Sequence, residues 1–423
     1  PRPKSSAASD VYKRQCLAYL VHFYNVPVKP LRHRLIACAR LSQGSRRLMT
    51  TFSNCLTVIS LTVWTIFDIH MAVSCSQSLC CGPATFTSLR CSAVTLVYRS
   101  IYLLPKRDWG ETMSHLQFAK GISRLGTESA FVVLSRAQKL AAEGHDIINL
   151  GIGQPDFRTP EHIVQAGIQA LKDGHHGYTP ANGLPQLREA VAQDLHHRHG
   201  ATVNPDNVIV VPGGKPTMFF AVLMFGEPGV EIMYPNPGFP IYESVIQYSG
   251  ATPVPIALRE ENGFAFDAAT VLSQITDRTR LIIMNSPANP TGGVTPKAEI
   301  DKLVAGLAAH PRVALLSDEI YSQMLYDGRA HVSLLSYPEI RDRLIVLDGW
   351  SKTYAMTGWR MGYAVWPDAM VDPVTRLCIN DHSCVNAAAQ FAGLAALTGP
   401  KDAVVEMVSQ FDSRRRVIVE ALN

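Results

Sequence analysis

The chain has 423 residues, of which 47% are hydrophobic and 17% are charged, and its formal net charge is +4. This composition is typical of a globular protein with two or three domains, and it excludes a disordered chain. The net charge conceals a division at Met113. Before it lie 14 basic and 4 acidic residues, whereas 25 basic and 31 acidic residues lie from Met113 onward. Two different kinds of sequence therefore meet near residue 112.

Residues 1–112 show no hydrophobic period of 2 or 3.6, and they hold seven of the nine cysteines. The uncharged run 48–67 has the length of a membrane span but too many polar side chains. Scattered basic residues without paired helices argue against a DNA-binding module. The stretch SSAASDVYKRQ at 5–15 instead resembles a translated sequencing adapter. We interpret 1–112 as a non-native, read-through and disordered segment, which the nucleotide sequence would test.

Three helices and one strand are predicted first after Met113. Segment 123–144 has hydrophobic residues at helical spacing and ends in a glycine. The run IINLGIGQPDF at 147–157 predicts a short strand that leads into a loop. Segments 162–174 and 184–200 have the pattern of two more helices, each of which also ends in a glycine.

Short apolar runs then alternate with helical stretches along the rest of the chain. These runs are NVIVVPGG, EIMYPNP, TPVPIAL, RLIIMNSP, VALLSDE, RLIVLDG and MGYAVWP. The alternation predicts an α/β fold of three layers, in which helices cover both faces of a mostly parallel central sheet. Ligands of such a sheet lie beyond the carboxyl ends of its strands, so the residues that follow each run are candidate site residues.

Two of these loops are rich in glycine and proline. PGGKP at 212–216 follows a strand and starts a helix, where free backbone N–H groups favour a phosphate, although most such turns hold no ligand. NSPANPTGG at 285–293 is constrained by its prolines and glycines, and Asn289 can direct an amide at a ligand. In isolation each loop is better explained as a structural turn.

Two further loops carry charged groups. SDEIY places the carboxylate of Asp318 at the end of a strand, and no histidine or cysteine lies near enough to suggest a metal site. In GWSKTYAMTGWRMGY, Lys352 precedes Arg360 by eight residues in a mostly uncharged stretch. A lysine in such a setting can have a lowered pKa and act as an amine nucleophile.

Taken together, NPTGG, SDEIY and SKTYAMTGWRMGY resemble the motifs of the class I/II aminotransferases in order and spacing. These enzymes are pyridoxal 5'-phosphate (PLP) enzymes of fold type I, and the resemblance runs from about Gly126 to Asn423. It implies a PLP-binding large domain at 161–400, preceded by a segment at 113–160 that contributes to a small domain and to dimer contacts. Residues 401–423 would begin a C-terminal small domain.

The family continues beyond the end of this sequence into a domain with an arginine for the substrate carboxylate. We therefore expect a truncated chain with an incomplete small domain that binds its substrate poorly. The arginines at 414–416 lie too early to supply that arginine, and we expect them on the exposed face of a helix.

The resemblance implies chemical roles for four polar residues. Lys352 would hold the cofactor as a Schiff base and then move the Cα proton of the substrate. Asp318 would pair with the ring nitrogen and keep it protonated, so that the cofactor remains an electron sink. Tyr321 and Asn289 would bond the phenolic oxygen of the cofactor, and Asn289 would also contact the substrate.

The resemblance also implies residues that hold the rest of the cofactor. Four would bind its phosphate: Gly214, Lys215, Ser351 and Arg360. Tyr178 would reach the phosphate site of the neighbouring subunit. Phe239 and Ile320 would cover the two faces of the ring, and Gly153 would let its backbone approach the substrate carboxylate.

The implied reaction is a ping-pong transamination between an L-amino acid and a 2-oxo acid, in a cytoplasmic homodimer that binds neither nucleic acid nor membrane. The sequence does not indicate which amino acid is used. One alternative is a C–S β-lyase or other PLP chemistry on the same scaffold, although AMTGWR favours a transaminase. An alternative of another class is a regulator with an aminotransferase-like sensor domain, which would need a helix-turn-helix that is not visible.

Overall fold

The computed structural model of this chain describes residues 116–126, 129–149 and 151–423. The interpretations offered for residues 1–112 concern a segment that lies outside the described residues. Leu116–Asn423 is one unit by its internal contacts. Within the described ranges, no helix is both long and apolar enough to cross a membrane.

All seven apolar runs form strands, and the strands join in one sheet. Their bounds are β1 Val208–Val211, β2 Glu231–Asn236, β3 Thr252–Ala257, β4 Thr279–Asn285, β5 Ala314–Asp318, β6 Leu344–Gly349 and β7 Gly362–Val365. The order across the sheet is β1-β7-β6-β5-β4-β2-β3. Five neighbouring strands of the sheet pair in parallel, namely β6, β5, β4, β2 and β3, whereas β7 is antiparallel to both β6 and β1. The predicted mostly parallel α/β sheet is confirmed.

Helices connect the strands and cover the sheet. In chain order they are α1 Ser129–Ala142, α2 Glu161–Lys172, α3 Pro185–His199, α4 Lys215–Phe225, α5 Ile241–Ser249, α6 Ala268–Ser273, α7 Lys297–Leu307, α8 Asp368–Asp381, α9 Ala387–Thr398 and α10 Asp402–Leu422. The helix predicted at 184–200 ends as expected, because Gly200 takes a left-handed conformation that glycine adopts without steric cost.

The sheet is buried on both faces because successive strand residues point in opposite directions. Ile282 and Met284 of β4 belong to one hydrophobic cluster, and Leu281 and Ile283 belong to the other. All four are at most 3% exposed. Burial of a side chain of this size stabilises a fold by about 1.5–3 kcal/mol, so these runs carry much of the stability of the sheet. This explains why the strands read as continuous apolar runs rather than alternating patterns.

The prediction of a strand at the start of IINLGIGQPDF is wrong. Residues 147–149 and 151–157 contain no strand, and Ile148 is 84% exposed. The backbone N–H of Gly151 donates to Asn149 Oδ1 at 2.9 Å, which forms a turn. A strand needs a neighbour for its backbone groups, and none of the strands among the described residues pairs with this segment.

Candidate active site

Three neighbouring strands bring the predicted polar residues to one edge of the sheet. Asp318, the last residue of β5, lies in register with Asn285 at the end of β4 and with Leu347 in β6. Because β7 is antiparallel to both of its neighbours, β1 runs in the same direction as β6, and its end at Val211 leads into the glycine turn at this same edge. The rule that ligands lie beyond strand ends therefore identifies a single region.

Asp318 is a buried carboxylate, only 2% exposed. The hydroxyl of Tyr242 donates to its Oδ2 at 2.6 Å, and the backbone N–H of Ile320 donates to its Oδ1 at 3.2 Å. Burial raises the pKa of Asp318 to about 6, and the two hydrogen bonds oppose this rise. The group is therefore largely ionised at neutral pH, and it can hold a proton on a ring nitrogen.

Tyr242 is a site residue that the sequence analysis missed. It is 1% exposed and lies in α5, three residues after Phe239, whose ring meets the Tyr242 ring edge-on at 5.9 Å. Residues three apart at a helix start lie on one face. The spacing of Phe239 and Tyr242 in GFPIY could therefore have indicated that Tyr242 lies near the site. Nothing local, however, indicated that a residue 76 positions earlier in the chain would reach Asp318.

The side chain of Asn285 joins the Asn289 loop to β5. Its Oδ1 accepts from the backbone N–H of Asn289 at 2.7 Å, and its Nδ2 donates to the backbone carbonyl of Asp318 at 3.0 Å. The peptide bonds before Pro287 and Pro290 are cis. The predicted loop at 285–293 is thereby held beside Asp318 through buried hydrogen bonds.

Lys352 lies in the loop after β6 and meets two other predicted residues. Its Nζ donates to the backbone carbonyl of Gly153 at 2.7 Å and lies 5.8 Å from the centre of the Tyr321 ring. Gly153 itself is exposed, with open space where a Cβ would be. The segment predicted to approach a substrate carboxylate therefore contacts the predicted nucleophile directly.

Arg360 closes over the glycine turn that follows β1. It adopts a left-handed conformation with φ of 57°, which is strained for a residue with a side chain and is typical of functional sites. Its guanidinium donates to the carbonyls of Thr357 at 2.8 Å and Pro212 at 3.3 Å. Gly213 has φ of 84°, a left-handed conformation that favours glycine, and a Cβ there would also displace this guanidinium. The arginine and the helix start that follows the turn form a cradle that suits a phosphate.

The remaining predicted residues occupy the rim of this region. Lys215 Nζ lies 5.3 Å from the Phe131 ring centre and 5.5 Å from that of Phe239, so its cation rests against two aromatic rings. Ser351 is half-buried beside Lys352. Direct contact of Lys215 and Ser351 with a phosphate stays a prediction.

Tyr178 is 92% exposed. It lines a cavity of about 590 Å³ together with Cys384 and Asn386. These two residues also line a larger cavity of about 760 Å³ that extends to Arg360 and Trp359. Tyr178 therefore stands at the open end of a cleft that leads toward the phosphate cradle.

Arg414 and Arg416 of α10 are exposed as predicted and Arg415 is half-buried, and all three are also engaged in ion pairs. Arg414 pairs with Asp156 at 2.8 Å, and Arg415 pairs with Asp327 at 2.6 Å. Arg414 thereby connects α10 to the loop that carries Gly153. Such exposed pairs contribute little stability because solvent screens them.

The functional groups at this site fit PLP in their chemistry. A primary amine, a buried carboxylate and an arginine over a glycine turn match an aldehyde, a basic ring nitrogen and a phosphate, respectively. The open space at Gly153 leaves room for a substrate above the amine. The residues present therefore suit the cofactor that the motifs imply.

Residues 145–423 match the family model described as aminotransferase class I and II. The chain is 35% identical over 308 residues to the aspartate aminotransferase of Geobacillus stearothermophilus, covering 73% of this chain and 78% of that protein. It is also similar to a solved aspartate aminotransferase from Rhizobium meliloti, with 35% identity, a TM-score of 0.69 and coverage of 73% and 77% of the two chains. An alanine aminotransferase from Pyrococcus furiosus is 33% identical, with a TM-score of 0.66 and coverage of 71% and 78%.

These similarities extend across the sheet and every motif from which the site was assembled. They agree with the chemistry of the site, in which an amine, a carboxylate and a phosphate cradle converge. The chain belongs to the class I and II aminotransferase family, and it is a PLP-dependent enzyme that transfers an amino group from an amino acid to a 2-oxo acid.

Proposed function

We propose that Lys352 is the catalytic base of this aminotransferase and that Asp318 is the residue that holds the proton of the cofactor ring. Bound PLP supplies the electron sink that makes the substrate Cα–H acidic. Lys352 lies beside Gly153, where we place the substrate, so its amine is positioned to take and return the Cα proton. Asp318 is ionised near pH 7 and buried, so its charge acts on the ring nitrogen with little screening by water.

The other predicted residues would orient the cofactor. Arg360 and the Gly214–Lys215 turn would bind the phosphate, and Asn289 and Tyr321 would donate to the phenolic oxygen. Phe239 would cover one face of the ring, because it packs on Tyr242, which itself bonds Asp318. Ile320 would cover the other face. These assignments come from the resemblance of the motifs, and the position of the residues near the strand ends supports them.

We also propose that the amino donor is acidic and that aspartate is the preferred one. The observation that carries this proposal is the 35% identity, over 73% of the chain, to a protein named aspartate aminotransferase. The similarity to a solved alanine aminotransferase at 33% identity makes alanine the natural competitor. Aspartate would leave as its 2-oxo acid, and a second 2-oxo acid would accept the amino group.

The donor preference is tested with the PLP-loaded protein and single amino acids in the absence of an acceptor. We expect aspartate to convert the absorbance of bound PLP to that of its amine form faster than alanine does, at equal concentration. Asparagine is the matched control, because it has the size of aspartate without the charge. Equal or faster conversion by alanine or asparagine would contradict the proposal.

A homodimer is the assembly that we propose for the active enzyme. Its support is the position of Tyr178, which is 92% exposed and stands at the open end of the cleft toward Arg360. A phenol in that position is available to the phosphate site of a second copy. A cytoplasmic location stays a prediction from the sequence.

The shared site is tested by mixing two inactive or impaired variants. Tyr178→Phe and Lys352→Ala are expected to be weak separately, because one lacks a phosphate contact and the other lacks the amine. Co-refolded at equal amounts, they form mixed dimers that contain one unaltered site. Activity above that of either variant alone is expected, with sedimentation velocity showing dimers. Activity equal to the average of the two would contradict the shared site.

A further inference from the structure

A buried polar cluster lies directly behind Asp318, and the proposed mechanism makes no use of it. Its centre is Glu319, which is 2% exposed. The carboxylate accepts three hydrogen bonds, from Ser317 Oγ at 2.9 Å, from the backbone N–H of Leu334 at 3.1 Å and from His331 Nε2 at 2.8 Å. A buried carboxylate with this many donors is held in one orientation.

Glu319 and Asp318 point to opposite faces of the sheet. Asp318 bonds Tyr242, which belongs to one hydrophobic cluster, whereas Glu319 bonds the backbone of Leu334, which belongs to the other. The backbone N–H of Glu319 also donates to the carbonyl of Leu347 in β6 at 2.8 Å. The segment that carries Asp318 is therefore anchored on the face opposite to the cofactor site.

A second charged cluster, formed by Arg198, Asp348 and Asp194, lies beside the pair of Glu319 and His331. Arg198 of α3 donates to Asp348 Oδ2 at 3.2 Å and to Asp194 Oδ2 at 2.7 Å. Its Nη1 also lies 3.1 Å from His199 Nε2. Because a guanidinium can only donate, His199 Nε2 accepts, and its ring is neutral with the proton on Nδ1. Burial lowers the pKa of His199 to about 4, which agrees with this neutral form.

We propose that Glu319 and His331 are positioning residues for Asp318: Glu319 anchors the segment and places a second negative charge beside Asp318, and His331 keeps Glu319 in its charged form. This inference rests on the proposed role of Asp318 in holding the ring proton. Residues that do not touch the cofactor thereby determine the pH range over which the protein retains PLP.

The physical reason is the repulsion between buried like charges. Burial raises the pKa of Asp318, and the nearby carboxylates of Asp348 and Glu319 raise it further. Burial would also raise the pKa of Glu319, but the His331 and Ser333 contacts outweigh burial and lower it. Glu319 therefore keeps its charge over the range in which Asp318 titrates. The titratable and charged groups around Asp318, Glu319 and His331 are Asp348, Asp194, Arg198, His199, Tyr242, Tyr321 and Tyr363.

The test is the pH dependence of PLP affinity, measured by titrating the cofactor-free protein with PLP from pH 5 to 8. As the pH falls through the pKa of Asp318, this residue loses its charge and the affinity should decrease, with a midpoint near 6. Glu319→Gln removes the neighbouring charge, so the midpoint should move to lower pH by on the order of one unit.

A second variant tests the same effect through Glu319. His331→Gln keeps a hydrogen-bond donor but removes the imidazole that favours the charged form of Glu319, so burial should protonate Glu319 and the midpoint should move to lower pH, toward that of Glu319→Gln. The double variant Glu319→Gln/His331→Gln should behave as Glu319→Gln does. Glu339→Gln, which removes an exposed carboxylate, is the matched control and should leave the midpoint unchanged. Thermal unfolding without cofactor establishes that each variant folds.

Two results would overturn the inference. An equal loss of affinity at every pH in both single variants would mean that the pair is merely structural, and unmoved midpoints would mean that its charge does not act on Asp318. If Glu319→Gln does not fold, the downward movement in His331→Gln alone decides between these outcomes. Asp318→Asn separates this inference from the proposed mechanism. The step near pH 6 should vanish in that variant, and its persistence would refute the role of Asp318 itself.

Discussion

Replacement of Lys352 by alanine is expected to reduce the turnover number on the order of 10⁴-fold, because the site would lose both its nucleophile and its base. The contact between Lys352 Nζ and the carbonyl of Gly153 at 2.7 Å places this amine beside the proposed substrate position. The phosphate cradle and Asp318 lie elsewhere at the strand ends, so the variant should still bind PLP without a covalent link.

One labelling measurement and two further variants separate the loss of the amine from misfolding. Borohydride reduction followed by mass spectrometry should find the cofactor mass on the peptide with Lys352 in the unaltered protein and on no peptide of the alanine variant. Lys352→Arg should be equally inactive, since a guanidinium keeps the charge but cannot release its proton. Lys297→Ala removes a lysine that pairs with Asp301 on the surface and should keep full activity. Turnover of Lys352→Ala within tenfold of the unaltered protein would refute its role.

The strand ends could be predicted from the sequence because they depend on local features. Seven apolar runs became the seven strands, and the groups after four of them converge at one edge of the sheet. Asp318 and Lys352 were found in this way, since parallel strands end at the same edge whatever their order in the sheet. The motif resemblance then gave these residues their chemical identity.

The groups that position Asp318 could not be predicted, because their contacts join distant parts of the chain. Tyr242 comes from α5, and Glu319 is held by His331 from a loop twelve residues further on. Tyrosine is only intermediate in its tendency to be buried, and acidic residues are mostly exposed, so neither residue pattern indicates that these groups would meet in the core.

The strand predicted within 147–157 fails for a related physical reason. Apolar composition favours burial, but only a neighbouring strand can satisfy the backbone groups of an extended segment. Among the described residues no such neighbour is present, and the segment forms a turn at Gly151 and a loop that contacts Lys352 through Gly153.

Asp318→Asn is expected to lower the turnover number by about 10²–10³-fold, because it removes a preorganised charge from the ring nitrogen. Asparagine has nearly the same shape and its Oδ1 can still accept from Tyr242, so the packing around the site should be kept. The loss should appear mainly in the turnover number rather than in the Michaelis constant for the amino donor, since Asp318 acts on the cofactor and not on the substrate. An activity within threefold of the unaltered protein would contradict this role.

Tyr242→Phe provides the graded comparison, because it keeps the charge of Asp318 but removes the 2.6 Å hydrogen bond that lowers its pKa. The pKa of Asp318 should therefore rise above about 6, so that activity declines at a higher pH on the acidic side. At pH 8 the carboxylate is ionised in both proteins, and the turnover number of Tyr242→Phe should then approach that of the unaltered enzyme. Asp318→Asn, in contrast, should stay slow at every pH, because no carboxylate remains to ionise. A pH-independent deficit in Tyr242→Phe would show that the tyrosine orients Asp318 without affecting its ionisation.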